Sequence, residues 1–326
     1  MTQNINISRR FSVAPMMDWT DRHCRYFHRL ITRHALLYTE MVTANAVIHG
    51  DRERLLGFDA AEHPLALQLG GSEPQALAEA ARIGAGYGYD EINLNVGCPS
   101  DRVQSGCFGA ALMAQPDLVA RCVEAMQQAV DIPVTVKCRI GIDDQDEDAD
   151  FRNFIETVTG AGITSFAVHA RKAWLSGLSP AQNRDVPPLN YQRVYDLKQA
   201  RPDLEIVING GVPDLAAAQD HLSYVDGVML GRAAYKTPWM LADVDQRFFG
   251  HVHVPDRQQV IDSMVEYAAR MNRDRGTPVK SIARHMVGLF QGERGARAYR
   301  RALSDHVHLA EAGAQALRNA ASHVAA

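Results

Sequence analysis

The sequence predicts an α/β chain, a TIM (β/α)8 barrel followed by a small C-terminal helical domain. Eight short apolar runs of strand character alternate with helical segments over about 235 residues, the count and length such a barrel needs. The 326 residues are too many for one small domain, and they divide naturally into a barrel over 1–245 and a helical segment over 246–326. An open doubly wound sheet is the alternative. It would carry its glycine fingerprint after the first strand, where this chain has Pro15-Met16-Met17 instead.

Taken in order, Phe11 to Ala14 reads as a strand ended by Pro15, and Asp18 or Thr20 is placed to cap a helix running through Ile31. Leu36 to Val42 is the second strand and Leu65 to Leu69 the third. A helix from Pro74 to Gly86 follows, with proline in its first turn and glycine at its end. Ile92 to Val96 is the fourth strand. There Ile92, Leu94 and Val96 alternate with Asn93 and Asn95, the period-2 pattern of a half-buried strand, and Gly97, Pro99 and Ser100 stop it. A helix over about 117–130 leads to the fifth strand, Pro133 to Ile140. A helix around Phe151 to Val158 leads to the sixth, Phe166 to His169. Ile206 to Ile208 is the seventh and Gly227 to Leu230 the eighth.

Hydrophobic residues at 46% and charged residues at 22% describe an ordinary globular chain with a sizeable core, not a disordered one. No apolar run reaches membrane-spanning length, and MTQNINISRR lacks the apolar stretch of a signal peptide, so a cytoplasmic protein is expected. The five cysteines form no C-x-x-C pair, which speaks against a disulfide framework and a zinc knot. The net charge of −4 conceals an asymmetry: residues 251–326 hold eleven Lys and Arg against seven Asp and Glu, or +4, leaving −8 for residues 1–250. A basic appendage on an acidic body suits a polyanion, although a solvated helical surface explains the charge equally well.

Function in a TIM barrel collects at the carboxyl ends of the strands. Those positions hold Pro15-Met16-Met17, Glu40, Gln68, Asn95 with Cys98, Lys137 with Arg139, His169 with Arg171, Asn209-Gly210-Gly211 and Gly231-Arg232. Lys137 and His169, in line with Val, Ile and Leu, would be costly unless they face a ligand or a paired partner. A tight turn would explain each glycine pair singly. At adjacent strand ends, with Arg232 beside them, Gly210-Gly211 and Gly231 favour a phosphate-bearing cofactor. Gln68, Lys137 and His169 jointly suit the edge of an isoalloxazine ring, whose N1–C2=O side gains negative charge on reduction. Met16 and Met17 supply polarizable packing near such a ring, or plain core filler.

Other chemistries lack support. Asp144, Asp146 and Asp148 have the spacing that opens a calcium loop, but no glycine stands sixth and Ile155 stands where the bidentate glutamate belongs. No H-E-x-x-H and no G-x-S-x-G is present, so no metal is expected.

The strings Val13-Ala-Pro-Met-Met, Tyr38-Thr-Glu-Met-Val, Leu67-Gln-Leu-Gly-Gly, Asn93-Leu-Asn-Val-Gly-Cys-Pro-Ser, Pro133-Val-Thr-Val-Lys, Val168-His-Ala-Arg and Ile208-Asn-Gly-Gly together resemble the tRNA-dihydrouridine synthase family. Arg171-Lys-Ala-Trp-Leu-Ser-Gly-Leu-Ser-Pro, continuing to Asn183-Arg184, resembles the subfamily acting at positions 20 and 20a of the D-loop. The likeness runs from about residue 10 to Arg301, and the residues beyond are expected to form a helix.

The resemblance implies an FMN enzyme that reduces uridine in tRNA to 5,6-dihydrouridine with NADPH. Its flavin contacts fall on Pro15, Met16, Met17, Gln68, Lys137, His169, Asn209, Gly210, Gly211, Gly231 and Arg232. Its proton donor falls on Cys98, and Asn95 is expected to bond the target base. Arg184, Arg297 and Arg300 are expected to contact tRNA, the last two sharing a helix face if residues 295–303 are helical. A monomer is expected. A barrel flavoprotein acting on a free pyrimidine is the rival enzyme, and an RNA-binding protein keeping the barrel as scaffold the rival from another class. The first needs no basic tail, and the intact set Cys98, Lys137 and His169 argues against the second.

Overall fold

The computed structural model describes residues 7–100, 108–145 and 148–324. Arg102, Gly106, Cys107 and Asp146 lie outside them. Eight parallel strands close into a barrel: β1 (Phe11–Val13), β2 (Leu36–Tyr38), β4 (Leu65–Gly70), β5 (Glu91–Val96), β6 (Val134–Arg139), β7 (Ser165–His169), β8 (Glu205–Asn209) and β9 (Gly227–Leu230). β1 pairs with β9 as well as β2, which closes the ring. A two-residue strand, β3 (Val42–Thr43), lies beside β4.

The second strand is therefore two pieces rather than one run from Leu36 to Val42. Thr39 ends the first piece: its hydroxyl, not a main-chain carbonyl, accepts the N–H of Gln68 at 3.0 Å, and the regular ladder stops there. Two helix limits also differ from expectation. Helix Arg22–Ile31 is capped by Asp21, whose Oδ1 accepts from the N–H groups of His23 and Cys24. Asp18 lies further back, at φ +63, donating its N–H to Glu40. Helix Pro74–Tyr87 runs past Gly86 and ends at Gly88, which takes the left-handed conformation at φ +97.

The alternation in β5 has a different meaning from a half-buried strand, because every residue from Glu91 to Val96 is buried. Ile92, Leu94 and Val96 belong to the large core between the strands and the surrounding helices. Their alternates Glu91, Asn93 and Asn95 belong to the opposite face, which in a closed barrel is the interior rather than water. Parallel register puts Asn93 beside Gln68 and Thr135, and Asn95 beside Lys137. Further apolar filling comes from Ala14, Leu36, Tyr38, Ala66, Ala167, Val207 and Met229, a second, smaller cluster.

Five helices, Arg257–Arg275, Val279–Met286, Ala296–Ser304, His306–Ala312 and Gln315–Ala321, make the C-terminal region. Gly313 at φ +57 separates the last two, so the expected single terminal helix is broken. Tyr267 stacks on Tyr26 with centroids 4.1 Å apart, and its hydroxyl lies 2.8 Å from His23 Nδ1. Asp21 accepts from Arg284 (2.9 Å) and lies 3.1 Å from His285 Nε2. These contacts hold the region against helix Arg22–Ile31, and one apolar core continues from Phe27 and Ile31 to Leu309 and Leu317. No helix among the described residues is long and apolar enough to cross a membrane.

Candidate active site

The carboxyl ends of the strands gather most of the residues singled out from the sequence. Gln68 and Asn95 meet through their amides, Asn95 Nδ2 donating to Gln68 Oε1 at 2.7 Å. Lys137 Nζ donates to Asn209 Oδ1 at 3.0 Å, and Asn209 Nδ2 to the carbonyl of Met229 at 2.8 Å. His169 lies against the Gly210 turn, where any Cβ would run into its ring. Gly210 and Gly211 both have positive φ, +111 and +69, so glycine is required there on conformation as well as on space. Tyr191 holds the turn by donating its hydroxyl to the Gly210 carbonyl.

Met16 and Gly231 bring the first and last strand ends together: a Cβ on Gly231 would lie 3.5 Å from Met16 Sδ. Pro15 and Met16 are half-buried, whereas Met17 is 56% exposed and serves no core. Arg232 pairs with Asp185 at 2.8 Å and reaches the Arg184 carbonyl at 3.5 Å. The Arg184 side chain itself is exposed.

Cys98 occupies the turn after β5. Its N–H donates to Asn95 Oδ1 (2.9 Å), its carbonyl accepts from the Ala110 N–H (2.9 Å), and its thiol lies 3.6 Å from Ser100 Oγ. It is half-buried, while Cys24, Cys122 and Cys138 are fully buried, and burial pushes their thiols up, that of Cys122 to about 11 and that of Cys138 to about 12. Among the described residues Cys98 is thus the one thiol presented to a ligand.

Cations outnumber acids at the mouth, where Glu40, at the end of the second strand, is pushed up by burial. Burial, then Arg139, pushes the Lys137 ammonium down to about 8. Burial lowers Arg139 to about 10, with Arg184 and Arg171 adding to it and Cys98 opposing. His169 is held well below its ordinary range by burial and by Arg139, Lys137, Arg171 and Arg232, so it is a neutral imidazole. The Asp185–Arg232 bridge is at the rim and solvated. Arg171 Nε is buried without a partner, and the N–H groups of Gly210, Gly211 and Gly231 meet no acceptor among the described residues. Unpaired donors and surplus positive charge fit an anionic, acceptor-rich ligand.

Two residues of the site had no assigned role in the sequence. Arg139, 3% exposed, donates from Nε to the Gly97 carbonyl (2.8 Å) and from Nη1 to those of Lys172 (2.8 Å) and Asn183 (3.1 Å). Asn183, fully buried, pins the loop that carries Trp174 with bonds to the Trp174 N–H and carbonyl, both 2.8 Å. Arg139 was legible as a strand-end cation. Nothing in the sequence marks Asn183 as a loop staple.

Arg297 and Arg300 are exposed on helix Ala296–Ser304, whose Tyr299 turns inward to donate to the Met286 carbonyl. Arg300 bonds Gln291 Oε1 at 3.2 Å, and Arg297 has no ion-pair partner among the described residues. Neither is bonded to the mouth.

Comparison with known proteins gives this geometry a context. A model of the dihydrouridine synthase family matches residues 12–325, well past the Arg301 limit of the resemblance in sequence. A tRNA-dihydrouridine(20/20a) synthase of Synechocystis sp. is 58% identical over 310 residues, covering 95% of this chain and 92% of that one. Proteins of the same name from Shewanella oneidensis and Escherichia coli K12 are 57% identical (96% and 93% covered) and 55% identical (99% and 93% covered). Among solved structures, a 2-naphthoyl-CoA reductase complex is similar at a TM-score of 0.55 and 12% identity, covering 73% of this chain and 50% of that one. An old yellow enzyme homologue from Zymomonas mobilis is similar at 0.50 and 13%, covering 75% and 89%. These two likenesses concern the barrel fold alone. The near-complete family match and the full-length relatives decide the matter: this chain belongs to the dihydrouridine synthase family.

Proposed function

We propose that the chain is a flavin-dependent oxidoreductase that reduces uridine to 5,6-dihydrouridine at positions 20/20a of the tRNA D-loop, with FMN as cofactor and NADPH as reductant. The observation that carries this reading is the mouth: a half-buried thiol, three strand-end amides and a cluster of cations around a neutral imidazole. Unpaired N–H groups at Gly210, Gly211 and Gly231, with Arg232 alongside, suit the cofactor phosphate. Gln68, Lys137, His169 and Asn209 suit the ring, and Pro15, Met16 and Met17 pack beside it. The flavin, when bound, supplies the hydride that goes to C6 of the base.

The chain's own residues do the rest. Hydride at C6 leaves negative charge toward C5 and O4, and a proton must reach C5. In this reading the Cys98 thiol gives that proton, breaking S–H as C5–H forms, and the thiolate left behind lies among Lys137 and Arg139. Its partial exposure lets solvent return the proton before the next turnover. Asn95 keeps one N–H beyond its bond to Gln68 with which to hold the base. The base is stacked in folded tRNA and must be drawn out to reach the barrel. Arg184, Arg297 and Arg300 would hold the surrounding phosphates, with residues 1–245 as the flavin-binding part and 246–326 as the tRNA-binding part. Free thiols fit the reducing cytoplasm.

The experiment is direct. The purified chain should be yellow, or become so with FMN, and unmodified tRNA treated with NADPH should gain dihydrouridine at positions 20 or 20a. A chain that takes up no flavin, or that bleaches with NADPH but leaves tRNA unchanged, would remove the reading.

A further inference from the structure

The Cys98 turn is the upper end of a hydrogen-bond chain that runs down the barrel interior. The N–H groups of Gly97 and Cys98 donate to Asn95 Oδ1 at 3.1 and 2.9 Å. Asn95 Nδ2 donates to Gln68 Oε1 (2.7 Å), Gln68 Nε2 to Asn93 Oδ1 (2.8 Å), and Asn93 Nδ2 to Thr135 Oγ1 (2.8 Å). Thr135 Oγ1 donates to Glu91 Oε1 at 2.5 Å. That oxygen also takes the Tyr38 hydroxyl at 2.9 Å, while Arg9 Nε binds Oε2 at 2.7 Å.

The two ends of this chain leave the middle no choice. A carboxylate bonded to a guanidinium offers only acceptors, so Thr135 must donate to it and has only lone pairs to offer Asn93. Asn93 must then present its NH2 to Thr135 and its oxygen to Gln68. The same logic orients Gln68 and finally Asn95, whose oxygen must face the turn. From the other end, main-chain N–H groups are donors only and demand the same orientation. Turning any single amide over would set oxygen against oxygen and NH2 against NH2 among buried residues.

We propose that Glu91, acting through Thr135 and Asn93, fixes the orientation of the Gln68 and Asn95 amides and thereby positions the Cys98 turn. These three are positioning residues, buried below the mouth. The consequence for catalysis rests on the reading of Cys98 given above. The consequence for the turn does not.

The test separates the two. Thr135→Val keeps shape and removes the hydroxyl, whereas Thr135→Ser keeps the hydroxyl and removes a methyl. Amide hydrogen exchange is measured at Gly97 and Cys98 in the full chain, without and with FMN. Thr135→Val is expected to speed exchange there by about tenfold, with Thr135→Ser near wild type. Tyr38→Phe, which deletes a bond to the same carboxylate oxygen outside the chain, should leave those amides protected. If Thr135→Val fails to fold, Asn93→Ala breaks the next link and is read in the same way. Unchanged exchange in Thr135→Val, or equal acceleration by all three substitutions, overturns the proposal.

In the flavin-loaded enzyme, Thr135→Val should slow oxidation of the reduced flavin by tRNA about tenfold, and Thr135→Ser should restore the rate. Faster exchange with an undiminished tRNA step would uphold the positioning and overturn the role of Cys98 instead.

Discussion

Arg139 Nε lies 2.8 Å from the carbonyl oxygen of Gly97, the residue before Cys98. The same guanidinium holds the carbonyls of Lys172 and Asn183, so one buried cation joins the Cys98 turn to the loop that presents Trp174. Lysine cannot reproduce this, because an ammonium has no planar fork to span three carbonyls on two segments. Arg139→Lys should retain flavin yet lose about tenfold or more in dihydrouridine formation at saturating tRNA. Its melting temperature should fall as well, since the buried charge keeps fewer bonds and leaves carbonyls without a donor. A variant with full turnover would reduce Arg139 to a packing element.

Cys98→Ala separates proton donation from packing. If the thiol protonates C5, the variant keeps its flavin, is reduced by NADPH at near the wild-type rate and binds tRNA. Dihydrouridine formation falls by about 10²–10⁴-fold, the usual share of a positioned general acid. Stopped-flow oxidation of the reduced variant by tRNA is the measurement, and an undiminished rate takes Cys98 out of the mechanism.

Arg184, Arg297 and Arg300 are exposed and carry no carboxylate bridge among the described residues. Replacing all three by alanine should weaken tRNA binding and flatten its dependence on salt, by about one unit of slope for each phosphate that is no longer neutralised. Reduction of the flavin by NADPH should not change. Titrations at two or more salt concentrations check this, and an unaltered affinity returns the three to a solvated surface.

Much of the barrel was legible because its helix-facing positions are Val, Ile and Leu at period 2, and because Pro74 opens a helix where the chain must turn back. The polar alternates were misread for a physical reason. Asn93 and Asn95 look like the wet side of a strand unless the sheet closes, and closure is a property of eight strands together rather than of any one. The split at Thr39 was hidden for a similar reason, since the hydroxyl that replaces a ladder carbonyl bonds the N–H of Gln68, on β4. Strand-end residues such as Lys137 and His169 stood out as candidates because a cation or imidazole in line with apolar residues is costly without a partner. Asn183 was not, because an asparagine in a polar loop carries no such warning.

Lys137 gives a prediction with a sign. Burial and Arg139 depress its ammonium to about 8, against an ordinary lysine near 10.4, so between these values the unfolded chain binds more protons than the folded one. Stability of the flavin-free protein should therefore rise from pH 8 toward pH 10 on this account, with the burial penalty fully present below pH 8. A flavin whose electron-rich edge faces Nζ favours the charged form and raises that pKa, so binding must take up protons above pH 8. Affinity for FMN should fall as pH rises through that window, by up to about tenfold per pH unit. Fluorescence titration of the flavin-free protein between pH 7 and 9.5 reads this directly. Lys137→Met should bind more weakly at pH 7 and lose the dependence. A wild-type affinity that stays flat across the window places the ammonium away from the flavin, bonded to Asn209 alone.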